Sequence, residues 1–299
     1  MNILDDIKQQ YKFGGITQKL IFWNIGLFLV SLVFYEFSIG RFIYPTWLAL
    51  SSNAGISFVF PWTFITYSFL HGGALHLIFN LIVLNFAGRL FQTYFSEKQL
   101  FGVYILGAIF SGLIYVFSST FFLQSNAILV GASASIMTIL FATVTYAPLM
   151  KVRLLLIGYV KLWHIALVFL LVDLLYFRQV INRYEDVDNI LQRLGGRASH
   201  LSGALFGFLF VVLLKRGTDV TKIISKITDF VTGFFSKKPK KKYTPFKEVH
   251  INKKTTSKTS PKFEKDKNQQ QIDEILDKIS RSGYDSLTKE EKDFLFKQK

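Results

Sequence analysis

Cysteine is absent from the chain, which excludes disulfides and thiolate metal sites outright. No His-Glu-x-x-His occurs. His71 and His76, five residues apart, diverge by more than a third of a helical turn and make a poor metal pair. No metal and no cofactor is therefore expected. Internal repeats and paired broken helices are also missing, which argues against a transporter or channel. Charge is nearly absent from the long apolar runs. Away from the ends of those runs Asp173 is the exception, with Lys161 at a margin, and Asp173 reads as a packing hydrogen bond within its helix. Residues 1–19 carry Asp5, Asp6, Lys8, Lys12 and Lys19 without an apolar core, so no cleavable signal peptide is expected.

What the chain has in abundance is apolar surface. Of 299 residues, 51% are hydrophobic and 16% aromatic, which is too much for a water-soluble domain unless long runs cross a bilayer. A crossing helix needs about 20 apolar residues. Six segments qualify: 20–38, 73–93, 99–118, 127–147, 162–178 and 198–214. The expected fold is thus an all-α membrane protein, a six-helix transmembrane bundle. Segments two and four contain Gly, Asn, Ser and Thr, which membrane helices usually turn toward neighbours rather than lipid.

Lys and Arg in short loops set the orientation. They number three in the N-terminal segment, two at 89–98 and three at 151–161. Loop 39–70 has only Arg41, and loop 119–126 has no charge. Loop 179–197 is mixed, with Arg183, Arg193 and Arg197 against Glu185, Asp186 and Asp188. Both termini are expected in the cytoplasm, and the whole suits a bacterial inner membrane. Segments two, four and six then run inward from the outer face. Their outer ends carry the notable polar residues: His71, His76 and Asn80, then Ser133, then His200. Counted from Ala127, Ser133 lies roughly 9 Å below the start of its segment. Three separate segments so bring polar groups to one level.

Gly131-Ala132-Ser133-Ala134 has the small neighbours that would leave room for a substrate carbonyl, although such clusters also serve as packing faces. It is not the nucleophile elbow of soluble hydrolases, because Ser135 takes the last glycine's place. Gly203 and Gly207 form a GxxxG pair one turn below His200. Close packing there against segment four would bring the imidazole to Ser133, whose hydroxyl needs a neighbouring base. A solitary interfacial histidine is the plainer reading. His76 and Asn80, at i and i+4, share a face and can both donate hydrogen bonds, as an oxyanion site requires. For His71 a structural hydrogen bond is the expectation.

Three blocks in order resemble the rhomboid family of intramembrane serine proteases: Pro61-Trp62-Thr63 through Thr66-Tyr67 and Phe69 to His71, His76-Leu77 and Asn80; Gly131 to Ala134; and His200, Gly203 and Gly207. The resemblance spans about residues 20–214. It implies a Ser133–His200 dyad cleaving membrane-tethered proteins through an acyl-enzyme, an oxyanion site of His76, Asn80 and the Ser133 N–H, and packing support from Gly131, Gly203 and Gly207. No acidic third member is evident, so packing alone is expected to orient His200. Three positions depart from the family pattern. Phe91 stands where Glu is common, Met137 where an aromatic often follows the serine, and Ser199 where alanine often precedes the histidine. The alternative is a catalytically inactive relative that binds membrane clients; such proteins typically lose the serine or histidine, and both are present here.

The net charge of +15 belongs mainly to the tail. From Lys215 onward 22 Lys/Arg face 12 Asp/Glu, leaving +5 for everything before. Beside a membrane domain this implies anionic lipid headgroups as partners rather than nucleic acid. The expected organisation is a cytoplasmic segment at 1–19, a membrane domain at 20–214, an amphipathic interfacial helix with a Lys cluster at 215–242, a flexible linker at 243–269 and a small helical hairpin at 270–299. In the first segment Met1, Leu4, Ile7 and Tyr11 share a helical face, though a frayed terminus fits as well. In the hairpin, Ile272, Ile275, Leu276 and Ile279 form the stripe, Gly283 the stop and Thr288-x-x-Glu291 a capping box. A docking element or a disordered end are both compatible with it.

Overall fold

The computed structural model describes residues 2–123, 127–154, 158–183, 187–235 and 262–297, and the fold is predominantly helical. The chain divides into two compact units, Met1–Lys238 and Pro239–Lys299.

In the first unit, α1 (Ile3–Phe13) starts on an Asn2 side chain that accepts from the Leu4 N–H, with Asp5 and Asp6 in its first turn and Lys12 in its last. Both biases favour the helix dipole. The N-terminal segment is thus helical, with Leu4, Ile7 and Tyr11 exposed along it. Next come α2 (Ile16–Ser31), two short helices α3 (Ala54–Val59) and α4 (Thr63–Thr66), α5 (Ala74–Phe91) and α6 (Glu97–Ser118). A capping box between Ser96 and Gln99 opens α6. Then follow α7 (Ser133–Tyr146), α8 (Leu162–Arg183), α9 (Val187–Lys215) and α10 (Lys222–Phe235).

Among the described residues four helices are long and apolar enough to cross a membrane: Ile16–Phe34, Ala74–Phe91, Glu97–Phe121 and Gly196–Lys215. Ser133–Tyr146 and Leu162–Leu175 are shorter apolar helices. The first span begins four residues before the expected 20 and ends at Phe34, where Tyr35–Glu36 turns back to pair with Arg41–Phe42.

The fourth segment differs most from expectation. Residues 127–132 are not helical, because Leu50–Ser51 pairs antiparallel with Ile128–Leu129 and draws them into a strand. Gly131 then turns the chain at φ +131°, a conformation that favours glycine. Ser133 is consequently the first residue of α7, not the seventh. At 14 residues α7 is about 21 Å long, short of the roughly 30 Å apolar core of a bilayer.

Helix α6 is the central element, with Leu100, Val103, Tyr104, Ala108 and Tyr115 all buried. Helices α2, α5 and α8 expose large apolar residues instead: Val30 is 68% exposed, Phe79 64% and Leu175 64%. In water such a surface would be an extended apolar patch; facing lipid it is an ordinary solvent boundary. Lipid gives helices no hydrophobic reason to associate, so packing and hydrogen bonds must hold them together. Buried tyrosines supply the bonds. Tyr67 Oη donates to the Ala108 carbonyl at 2.9 Å, Tyr104 Oη to the Ser68 carbonyl at 2.8 Å and Tyr44 Oη to the His71 carbonyl at 2.8 Å. Phe91, the departure noted at the end of α5, is fully buried against Phe95 and Phe210, with ring centroids 4.4 and 6.3 Å away. An aromatic cluster occupies the place of the acid.

Helix α10 is held to α6 along one edge. Thr221 is buried against Gly102, and Lys98 pairs with Asp229 at 3.0 Å. Its Ile223, Ile227, Phe230 and Val231 are exposed. The lysine run 237–242 lies outside the described residues.

In the second unit, α11 (Lys262–Ser282) starts inside the stretch expected to be linker, so 262–269 are helical; residues 243–261 lie outside the described set. Gly283, at φ +78°, ends it. Thr288 and Glu291 cap α12 (Lys289–Lys297) reciprocally, the Thr288 N–H reaching the Glu291 carboxylate at 2.8 Å. Both Glu291 oxygens also accept from Lys278 at 2.9 Å. Ile275 and Leu287 are buried between the two arms, whereas Leu276, expected in the stripe, is 51% exposed.

Candidate active site

Ser133 opens α7, so its own N–H belongs to the first turn, where no intrahelical acceptor exists. The turn before it is held by the Gly131 N–H, which donates to the Tyr67 carbonyl at 2.9 Å. A Cβ on Gly131 would stand 2.9 Å from Cε1 of His76. This glycine therefore serves a turn and the approach of a ring, rather than the helix–helix contact expected of it. Ser135, two residues on, is fully buried and its Oγ has no hydrogen-bond partner among the described residues. It points into the bundle.

His200 lies on α9, which runs along α7. A Cβ on Gly203 would lie 2.3 Å from the Ala134 carbonyl oxygen, and one on Gly207 2.3 Å from that of Thr138. Only glycine permits backbones that close. The result is a distance of 2.7 Å between His200 Nε2 and Ser133 Oγ, two atoms from residues 67 apart in sequence.

The other face of the imidazole departs from the sequence reading. Asp173, on α8, makes no hydrogen bond within its own helix among the described residues. Both its carboxylate oxygens lie 3.1 Å from His200 Nδ1, and Arg197, three residues before His200, forms an ion pair with the same carboxylate. An ionised carboxylate can only accept, so in the neutral ring the proton sits on Nδ1 and the Nε2 lone pair faces the serine hydroxyl. The Asp173 side chain is 7% exposed and that of Arg197 24%. Asp173 was identifiable as the one acid well inside an apolar run, but nothing in the spacing ties it to a histidine 27 residues later on another helix.

On α5, Asn80 Nδ2 donates to the His76 carbonyl at 2.7 Å, leaving its second amide hydrogen free for another acceptor. His76 Nδ1 accepts a long bond from the Gly72 N–H at 3.3 Å, so the proton of the neutral ring sits on Nε2, the atom nearer Gly131. A cavity of about 530 Å³ joins these groups. His76, Asn80, Ser133, Asp173, Arg197 and His200 line it together with Phe79, Val83, Ile136, Met137, Phe169 and Val172. Met137 therefore forms part of the apolar wall.

His71 is near the site but not in it. Its ring meets that of His76 edge-on at 5.2 Å between centroids. It is fully buried, and among the described residues neither ring nitrogen has a hydrogen-bond partner of good geometry; a structural bond is made by its backbone carbonyl, which accepts from Tyr44. Burial, and secondarily the neighbouring His76, lowers its pKa from 6.5 to about 3. The folded protein thus keeps His71 neutral where the unfolded chain would bind a proton. Stability from this source is complete above about pH 6.5 and declines as pH falls toward 3, by at most about 1.4 kcal/mol per pH unit. The thermal midpoint in detergent is expected to fall from pH 7 to pH 4, and His71→Phe to flatten that slope. An equal slope in the variant would assign the loss to other groups.

Residues 60–217, more than half of the chain, match the family model of the rhomboid domain. Residues 262–297 match a family of unknown function (DUF6576). No curated protein matches the chain.

Proposed function

Since the chain belongs to the rhomboid family and is an integral membrane protein, we propose that it is a serine endopeptidase of membrane-tethered proteins, with Ser133 as nucleophile and His200 as base. The observation that carries this reading is the 2.7 Å contact between Ser133 Oγ and His200 Nε2 at the cavity wall.

In the proposed reaction His200 Nε2 takes the hydroxyl proton as Ser133 Oγ bonds to the substrate carbonyl carbon. The carbonyl oxygen becomes an oxyanion, held by the Ser133 N–H, His76 Nε2–H and the free Asn80 amide hydrogen. Donors aimed at such developing charge are commonly worth 10²–10³ in rate each. Collapse breaks the C–N bond, His200 returns its proton to the leaving amine, and an acyl-enzyme remains. Water, activated by the same imidazole, then releases the acid and regenerates Ser133. Hydrolysis needs water below the membrane surface. The shortness of α7 supports a site open to one side, since its first residue need not reach the bilayer boundary.

The wider arrangement is part of the same reading: six crossings that include the short α7 and the apolar part of α8, both termini cytoplasmic, and α10 with the lysine run against anionic headgroups. Retention of both serine and histidine favours catalysis over a client-binding role.

The test is labelling of the detergent-purified full chain with a fluorophosphonate. Wild type and Ser135→Ala are expected to label, Ser133→Ala and His200→Ala not. Wild type that stays unlabelled in lipid, beside an active family member as control, would leave the client-binding role.

A further inference from the structure

We infer that Asp173 is a positioning residue for His200, completing a Ser133–His200–Asp173 arrangement in which Arg197 balances the carboxylate charge; the inference rests on the serine-protease reading above.

A histidine base must present an unprotonated nitrogen to the serine, and a free neutral imidazole has two tautomers of similar energy. Only one of them is competent. Among the described residues nothing on α7 or α9 selects it, because Ser133 can either donate to Nε2 or accept from it. The selection comes from α8, where both Asp173 oxygens stand 3.1 Å from Nδ1 and can only accept. The same two bonds fix the rotation of a ring that lies at the wall of the cavity.

A carboxylate 7% exposed among apolar side chains would by itself be poorly solvated. Arg197 meets that need from the helix that bears His200, three residues earlier, so α8 and α9 are joined at the level of the base. When His200 accepts the serine proton, the carboxylate already in contact with Nδ1 stabilises the imidazolium without any reorganisation. A purely structural ion pair between Asp173 and Arg197 would require no contact with Nδ1, let alone through both oxygens.

The two roles separate in the order of variants. Asp173→Asn keeps the shape but can donate an amide hydrogen to Nδ1, which selects the wrong tautomer. Asp173→Ala imposes neither. If Asp173 positions the base, Asn should slow fluorophosphonate inactivation more than Ala does, by about 10²- to 10⁴-fold against wild type. The loss should fall on the maximal inactivation rate, with the probe's half-saturating concentration unchanged. Asp173→Glu should recover part of the rate. Thermal midpoints measured in parallel should run the other way, Ala below Asn. Asn equal to or milder than Ala, or rates that merely follow the midpoints, would overturn the inference while Ser133→Ala and His200→Ala still abolish labelling. Wild type that never labels would overturn the inference and the protease reading together.

Discussion

Ser133→Ala is expected to lower turnover of a membrane-tethered substrate by about 10⁴- to 10⁶-fold, His200→Ala by nearly as much, and the double variant by no more than the worse single one. The reason is that the proposed dyad makes the two side chains one unit across the 2.7 Å contact. Without the hydroxyl there is nothing for the imidazole to deprotonate. Without the imidazole the hydroxyl remains a poor nucleophile. Residual rate would come from the oxyanion donors of α5 and the α7 N-terminus, which neither substitution removes. Turnover of a reporter with one transmembrane segment, measured in proteoliposomes, gives the three rates. Losses that multiply in the double variant would mean that serine and histidine serve separate steps, and the dyad would be abandoned.

Gly203→Val is expected to be as damaging although it touches no reacting atom. A single Cβ at this position would already lie 2.3 Å from the Ala134 carbonyl oxygen and 3.0 Å from its carbon. Both are backbone atoms of the first turn of α7 and cannot swing aside as a side chain would. The helices must part, and Ser133 and His200 part with them. A displacement of about 1 Å in a reacting pair commonly costs about 10² in rate. Overpacking of a close interface costs about 1–3 kcal/mol even for an added methylene, and valine adds more. Turnover should therefore fall at least about 100-fold and the thermal midpoint should drop as well. Gly26→Ala is the control, since a Cβ there meets nothing within 4 Å. It should keep wild-type turnover. Equal behaviour of the two variants would show that the α7–α9 contact does not govern the site.

Much of this site was legible in the chain because its carriers are local. Gly203 and Gly207 read as a close-packing pair from spacing alone, and the structure seats both on the α7 backbone. Ser133 and His200 drew attention through their neighbours, and the fold brings those two within hydrogen-bond distance. A local pattern misleads where it has a non-local competitor. The run 127–147 is apolar enough for one helix, but Leu50–Ser51, nearly 80 residues earlier, claims its start as a strand partner. The start of α11 at 262–269 is not legible in the chain, because it is polar and the helix's apolar stripe begins only later.

Composition determined that this chain is an integral membrane protein, because long apolar runs have one stable solvent, and three motif blocks in order carried the resemblance to the rhomboid family that the family model shows. Tertiary structure alone decided what faces the second nitrogen of His200. Asp173 and His200 lie on different helices, and a carboxylate inside an apolar run looks the same in sequence whether it bonds its own helix or a neighbour. Which it does depends on the rotation of α8 against α9, and that is set by packing over the interface between them.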